Sequence, residues 1–161
     1  MLSLKTEPKS SSLKQLFSEC FQLSDTFSLT SGPYTTPSGK ALLYRLKPYW
    51  LHTFKTRHWF CYYVPEGYEK RVFLFRSCAE SKRIMMDSYR HLFFCNDFEW
   101  DLPEDICFFS GGKLFMGTVS HEGICYVYPP SQETAHRFQE ICRWETRNED
   151  TREQIVYHIQ E

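Results

Sequence analysis

FFSGGKLFMGTVSHEGICYVYP, residues 108–129, is the stretch on which the fold turns. Aromatic and β-branched runs of strand length surround two polar breaks, at 110–112 and 120–123. Glycine supplies the positive φ of a tight hairpin, and serine hydroxyls bond nearby backbone groups. The pattern predicts a three-stranded β-meander over 106–128. Pro129 and Pro130 end it, since neither can donate to a ladder.

Ser120, His121 and Glu122 also invite a catalytic reading. Consecutive side chains point apart, however, whereas a nucleophile, base and orienting group must converge from separate elements. No G-x-S-x-G elbow surrounds Ser120. The expectation is a turn with His121 at least partly exposed and open to a partner contact.

Outward from the meander, SLKQLFSECFQL (12–23) places Leu13, Leu16, Phe17, Cys20 and Phe21 on one helical face. Ser77 and Glu80 form a capping-box pattern opening a helix over 77–95, with Met85, Tyr89, Leu92 and Phe93 as its apolar stripe. Ser131 opens another helix to about Arg143, with Phe138 inward. Residues 24–40 read as a loop, ALLYRLK (41–47) as extended chain, and RHWFCYYV (57–64) with KRVFLFR (70–76) as a hairpin about Gly67. A short last element is expected over 150–159. The predicted class is α+β: a mainly antiparallel sheet of five or six strands, with a C-terminal meander, packed against N-terminal and C-terminal helices. Residues 1–10 read as a flexible N-terminus and 11–161 as a single domain.

A chain of 161 residues with 42% hydrophobic and 17% aromatic content can build its own core without metal or disulfide. It has no run of the roughly 20 apolar residues that a membrane helix needs, and no basic region followed by an apolar run at its start. The seven cysteines are scattered, odd in number and free of C-x-x-C spacing, which predicts free thiols and a cytoplasmic location. The pairs His58 with Cys61, His91 with Cys95 and His121 with Cys125 match no zinc-site spacing. No metal, cofactor or catalytic residue is expected, and a hydrolase or nuclease is the least favoured reading.

The net charge of −1 hides a division. Residues 1–90 hold fourteen Lys and Arg against seven Asp and Glu; residues 91–161 hold five against thirteen. NDFEWDLPED (96–105) carries Asp97, Glu99, Asp101, Glu104 and Asp105 around Trp100. Acidic side chains steer a basic partner, and Trp is a common anchor of protein interfaces. With His121 and Glu122 these residues form the expected protein-binding set. An alternative set is basic and aromatic: Arg45, Lys47, Tyr49, Trp50, Lys55, Arg57 and Trp59 combine phosphate neutralisation with base stacking, as single-stranded nucleic acid binding requires.

Residues 103–123 also bear a resemblance, carried by Pro103, Glu104 and Asp105, by Phe108 and Phe109, and by Ser120, His121 and Glu122. The segment resembles the C-terminal part of small uncharacterised bacterial proteins of the polymorphic-toxin immunity type. The resemblance implies a cytosolic, non-enzymatic protein that neutralises a cognate protein by binding it, with a basic toxin domain as the partner.

Overall fold

The computed structural model describes residues 1–32, 35–93 and 101–148. Its elements in chain order are β1 (Leu2–Leu4), α1 (Ser10–Leu23), β2 (Thr26–Ser31), α2 (Pro37–Leu46), β3 (Trp50–Thr56), β4 (His58–Trp59), β5 (Tyr62–Tyr63), β6 (Lys70–Arg76), α3 (Ala79–Ser88), β7 (Glu104–Ser110), β8 (Lys113–Val119), β9 (Ile124–Val127), α4 (Gln132–Ile141) and β10 (Trp144–Thr146). Eight strands form one sheet in the order β10-β1-β9-β8-β7-β2-β6-β3. Every neighbouring pair is antiparallel. The α+β class is as expected; the sheet is larger than the five or six strands predicted.

The meander lies where the sequence put it. Gly111 and Gly112 both take positive φ, +56° and +77°, and let β7 turn directly into β8. Four extra contributions enlarge the sheet. Residues 1–10, expected to be flexible, supply β1, whose Leu2 and Leu4 are buried between β9 and β10. The stretch read as a loop supplies β2, a central strand buried along its whole length. Among the described residues, β3 forms one edge and β10 the other.

ALLYRLK is helical, not extended. Pro37 stands in the first turn of α2, where its missing N–H costs nothing, and the Thr36 hydroxyl accepts from the Gly39 N–H at 3.1 Å. The hairpin expected over 57–76 does not form either. Residues 57–64 fold back on themselves as the two-residue strands β4 and β5, with Cys61 at φ +59° in the turn, and β6 pairs with β2 and β3 instead. α3 ends at Ser88, short of the predicted 95, and is capped by Cys78 and Ser81 in place of Ser77 and Glu80. The element expected at 150–159 lies outside the described residues.

The two faces of the sheet are covered differently. One meets the helices. Leu13, Leu16, Phe17 and Cys20 of α1, with Met85 of α3 and Phe138 of α4, pack on Phe27, Leu29, Phe75, Phe108 and Met116. Burial of each large side chain stabilises by about 1.5–3 kcal/mol relative to exposure. Phe27 stacks on Phe75 at 5.4 Å, and Phe21 meets Phe108 edge-on at 5.1 Å. The opposite face holds Val72, Leu74, Cys107, Phe109 and Val119, and is roofed by Trp59 and Phe60 of the β4–β5 ribbon. Phe60 lies so close over Gly117 that a Cβ there would fall 2.7 Å from its ring.

Candidate functional site

The ribbon-covered face carries the more unusual chemistry. β2 alternates Phe27 and Leu29 toward the helices with Ser28 and Thr30 toward the ribbon. Opposite Thr30 stands Glu104, and opposite Ser28 stands Cys107. The ladder shifts between them, and Asp105 takes φ +54°, a conformation that costs a non-glycine residue about 1 kcal/mol or more. Asp105 is fully buried. Two reciprocal bonds hold it to the turn after β8: its N–H donates to Ser120 Oγ at 2.9 Å, and its Oδ1 accepts from the Ser120 N–H at 2.9 Å. The Tyr62 hydroxyl is a further side-chain partner of its carboxyl.

The same layer buries the polar atoms of Ser28, Thr30, Trp59 and Tyr62, and the Cys107 thiol interacts with the Ser28 hydroxyl and the Trp59 indole. The Tyr62 hydroxyl stands between Asp105 and Thr30 and shares side-chain hydrogen bonds with both. Burial, and next the charge of Glu104, push the Asp105 carboxyl up to about 6; the Ser120 N–H, Lys70 and His121 oppose the rise. Burial also pushes the Cys107 thiol up to about 12 and raises Tyr62 well above its usual range, so both stay protonated.

At the rim this layer opens to solvent. Glu104 is half-buried and bonds Lys70 Nζ through Oε1 at 2.9 Å. His121 Nδ1 lies 3.4 Å from Glu104 Oε2, and His121 Nε2 lies 3.8 Å from Glu122. Residues 120–122 form one turn of 3₁₀ helix closed by Gly123 at φ +67°, so the predicted turn is present. His121 is exposed as expected, while Ser120 is fully buried.

Of the acidic set, Asp97, Glu99 and Trp100 lie outside the described residues. Asp101 and Glu122 are exposed. Asp105 is a correction: expected on a binding surface, it is buried beneath the ribbon because the bulge in β7 turns it inward. Glu104 is already answered by Lys70.

The basic and aromatic set is drawn to the β3 edge. Arg45 and Lys47 are exposed at the end of α2; Trp50 and Lys55 are exposed on β3; Arg57 lies half-buried over the Tyr63 ring at 4.9 Å. Tyr49 packs partly against the helix-side core. Trp59 is a second correction, since it is buried against Phe109 and has no face to offer a base. Tyr44, Trp50, Tyr63 and Tyr68 are the exposed large apolar side chains among the described residues, and all four fall within residues 44–68. Glu69 beside them feels the charges of Arg57 and Lys55, after the Gly67 N–H that it binds, and its carboxyl is held below the usual range.

Lys70, Tyr62, Thr30 and Ser28 escaped the sequence reading. The register around the glycine turn carried a usable signal. Counting back from Ser110 opposite Lys113 brings residues 104–105 beside 118–119, one residue short of the shifted ladder, and so joins the acidic stretch to the Ser-His-Glu turn. No protein family, curated protein or solved structure matches the chain.

Proposed function

We propose that the protein is a non-enzymatic binding module that takes a protein partner on the edge strand β3. The carrying observation is that the exposed aromatics Tyr44, Trp50, Tyr63 and Tyr68 all fall in residues 44–68, the segment that contains an edge strand whose outer side pairs with nothing among the described residues. An edge strand presents unused N–H and C=O groups that an extended segment can pair with, and exposed aromatics supply anchors beside it. Lys55, Arg57 and the facing Arg71 make the edge basic, which fits a partner segment carrying acidic residues. An immunity-type protein that blocks a cognate toxin by tight binding is one member of this class. Trp50→Ala with Lys55→Glu should abolish capture of the partner, scored by affinity purification from the source cell, while leaving the melting temperature unchanged. Retained capture would remove β3 from the interface.

A second reading rests on the same surface. Aromatic rings interleaved with cations also suit single-stranded nucleic acid. In that case fluorescence anisotropy with labelled single-stranded RNA or DNA should report binding at low salt that falls steeply as salt rises. No binding at low salt rejects it.

A further inference from the structure

We propose that the β4–β5 ribbon is a flap that opens as pH rises, latched in acid by the contact between its Tyr62 hydroxyl and the buried Asp105 carboxyl. The strands of the ribbon are two residues each, joined through Cys61 at φ +59°. At its other end the Val64 N–H donates to the Arg57 carbonyl at 2.7 Å. A ribbon of that size does not hold itself together, so its seat decides whether it stays down. The seat has two parts: the apolar contact of Trp59 and Phe60 with the sheet, and the polar contact of Tyr62 with Asp105 and Thr30.

The polar part responds to charge because of where Asp105 stands. Its carboxyl is fully buried, and the Lys70 ammonium is taken by Glu104. A neutral carboxyl among hydroxyls tolerates that position, whereas an ionised one has left water without an ion pair of its own. The groups facing it come from every neighbouring element. β7 brings Glu104 and Cys107, β6 brings Lys70, the turn after β8 brings His121 and the Ser120 N–H, and the ribbon brings Tyr62. Burial, then Glu104, disfavour the charge; the Ser120 N–H, Lys70 and protonated His121 favour it, and burial prevails, with the carboxyl at about 6. Cys107 and Tyr62 stay neutral throughout.

Lifting the ribbon returns the carboxyl to water and to its ordinary value of 3.8. The closed ribbon therefore holds the Asp105 proton more tightly than the open one. Closure is fully favoured below about pH 4, weakens as pH rises to about 6, and stays at its weakest above. The separation of about two units bounds the change in the opening equilibrium at about a hundredfold. Arg57 directly follows β3 and lies over the Tyr63 ring at 4.9 Å, so a cation and a ring beside that edge move with the ribbon. Any effect on a partner at β3 rests on the binding reading; the opening itself does not.

The test follows backbone hydrogen exchange of the whole chain from pH 4.5 to 7.5, corrected for the pH dependence of the chemical exchange step. Opening at residues 57–64 should rise by about tenfold or more across that range. At pH 7.5 it should also exceed the opening that exposes β2 and β6 by about tenfold or more, which marks a local event and not global unfolding. Asp105→Asn should remove the rise. His121→Ala should keep it, which separates the carboxyl from the imidazole as the trigger. Tyr62→Phe keeps the ring and leaves Asp105 in place, and it should increase opening several-fold at pH 4.5; this arm decides the contact even where Asp105→Asn does not fold. Opening of 57–64 that ignores pH or runs in step with β2 and β6, a rise that survives Asp105→Asn or is lost in His121→Ala, or unchanged opening in Tyr62→Phe would each overturn the proposal.

Discussion

The two faces of the one sheet are built on opposite terms. The helix-covered face is deep and apolar, with Phe17, Phe27, Phe108 and Phe138 all fully buried. The ribbon-covered face has a roof of two two-residue strands over a layer of Ser28, Thr30, Asp105 and Cys107. A ribbon that short is not stable alone. It is held by Trp59 and Phe60, and it encloses the buried carboxyl of Asp105 with the Tyr62 hydroxyl against it. The first face therefore carries the stability of the fold. The second buries a carboxyl among hydroxyls and a thiol.

The largest expected effect tests the first half of that contrast. Phe17→Ala empties the junction of α1 with Phe108 and Tyr89 and should cost about 3–5 kcal/mol in chemical denaturation. Phe60→Ala on the ribbon should cost less, below about 2 kcal/mol, because a surface ribbon can resettle over the gap. Equal losses would mean that the two faces share the load.

Asp105→Asn should move stability the other way. The folded protein holds the Asp105 proton more tightly than the unfolded chain does, with its carboxyl raised from 3.8 to about 6. This group's contribution is therefore complete below about pH 4, falls as pH rises toward 6, and is a constant penalty above. Two units correspond to about 3 kcal/mol, taken as an upper bound. At pH 7.5, Asp105→Asn should gain stability up to that amount and flatten the slope between pH 4 and 6. A loss of stability at pH 7.5 would show that the buried charge is compensated.

The smallest effect sharpens how the roof is seated. Gly117→Ala drives a Cβ into the Phe60 ring and should cost about 1–2 kcal/mol, at the low end of overpacking, because the ribbon can lift. Adding Phe60→Ala should cancel most of that cost in a double-mutant cycle. Additive losses would place the strain elsewhere.

The helix-covered face was the legible one. α1, the meander and α4 each repeat their apolar residues at a single period over ten or more residues, and local pattern is enough to read them. β2 was hidden because TFSLTS shows only Phe27 and Leu29 as apolar, while its hydroxyl residues face a layer that no periodicity announces. α2 was misread from its apolar run, although Thr36 and Pro37 announce a helix start just ahead of it. β1 and β10 are three residues each, too short to carry a pattern. The candidate site was visible in pieces, as an acidic stretch and as a polar turn. What joined them was strand register and an inward-turned Asp105, both products of tertiary pairing.

β1 lies between β9 and β10, with Leu2 opposite both Val127 and Thr146. The amine of Met1 donates to the carbonyl of Arg147 at 3.0 Å. On a ribosome adding about 5–20 residues per second, Leu2 and Leu4 emerge on the order of 6–25 s before the strand that first covers them. The centre of one half of the sheet cannot close during synthesis until residues beyond 124 have left the exit tunnel. Through that interval Leu2 and Leu4 stay uncovered, an apolar pair whose partner strands are made more than a hundred residues later.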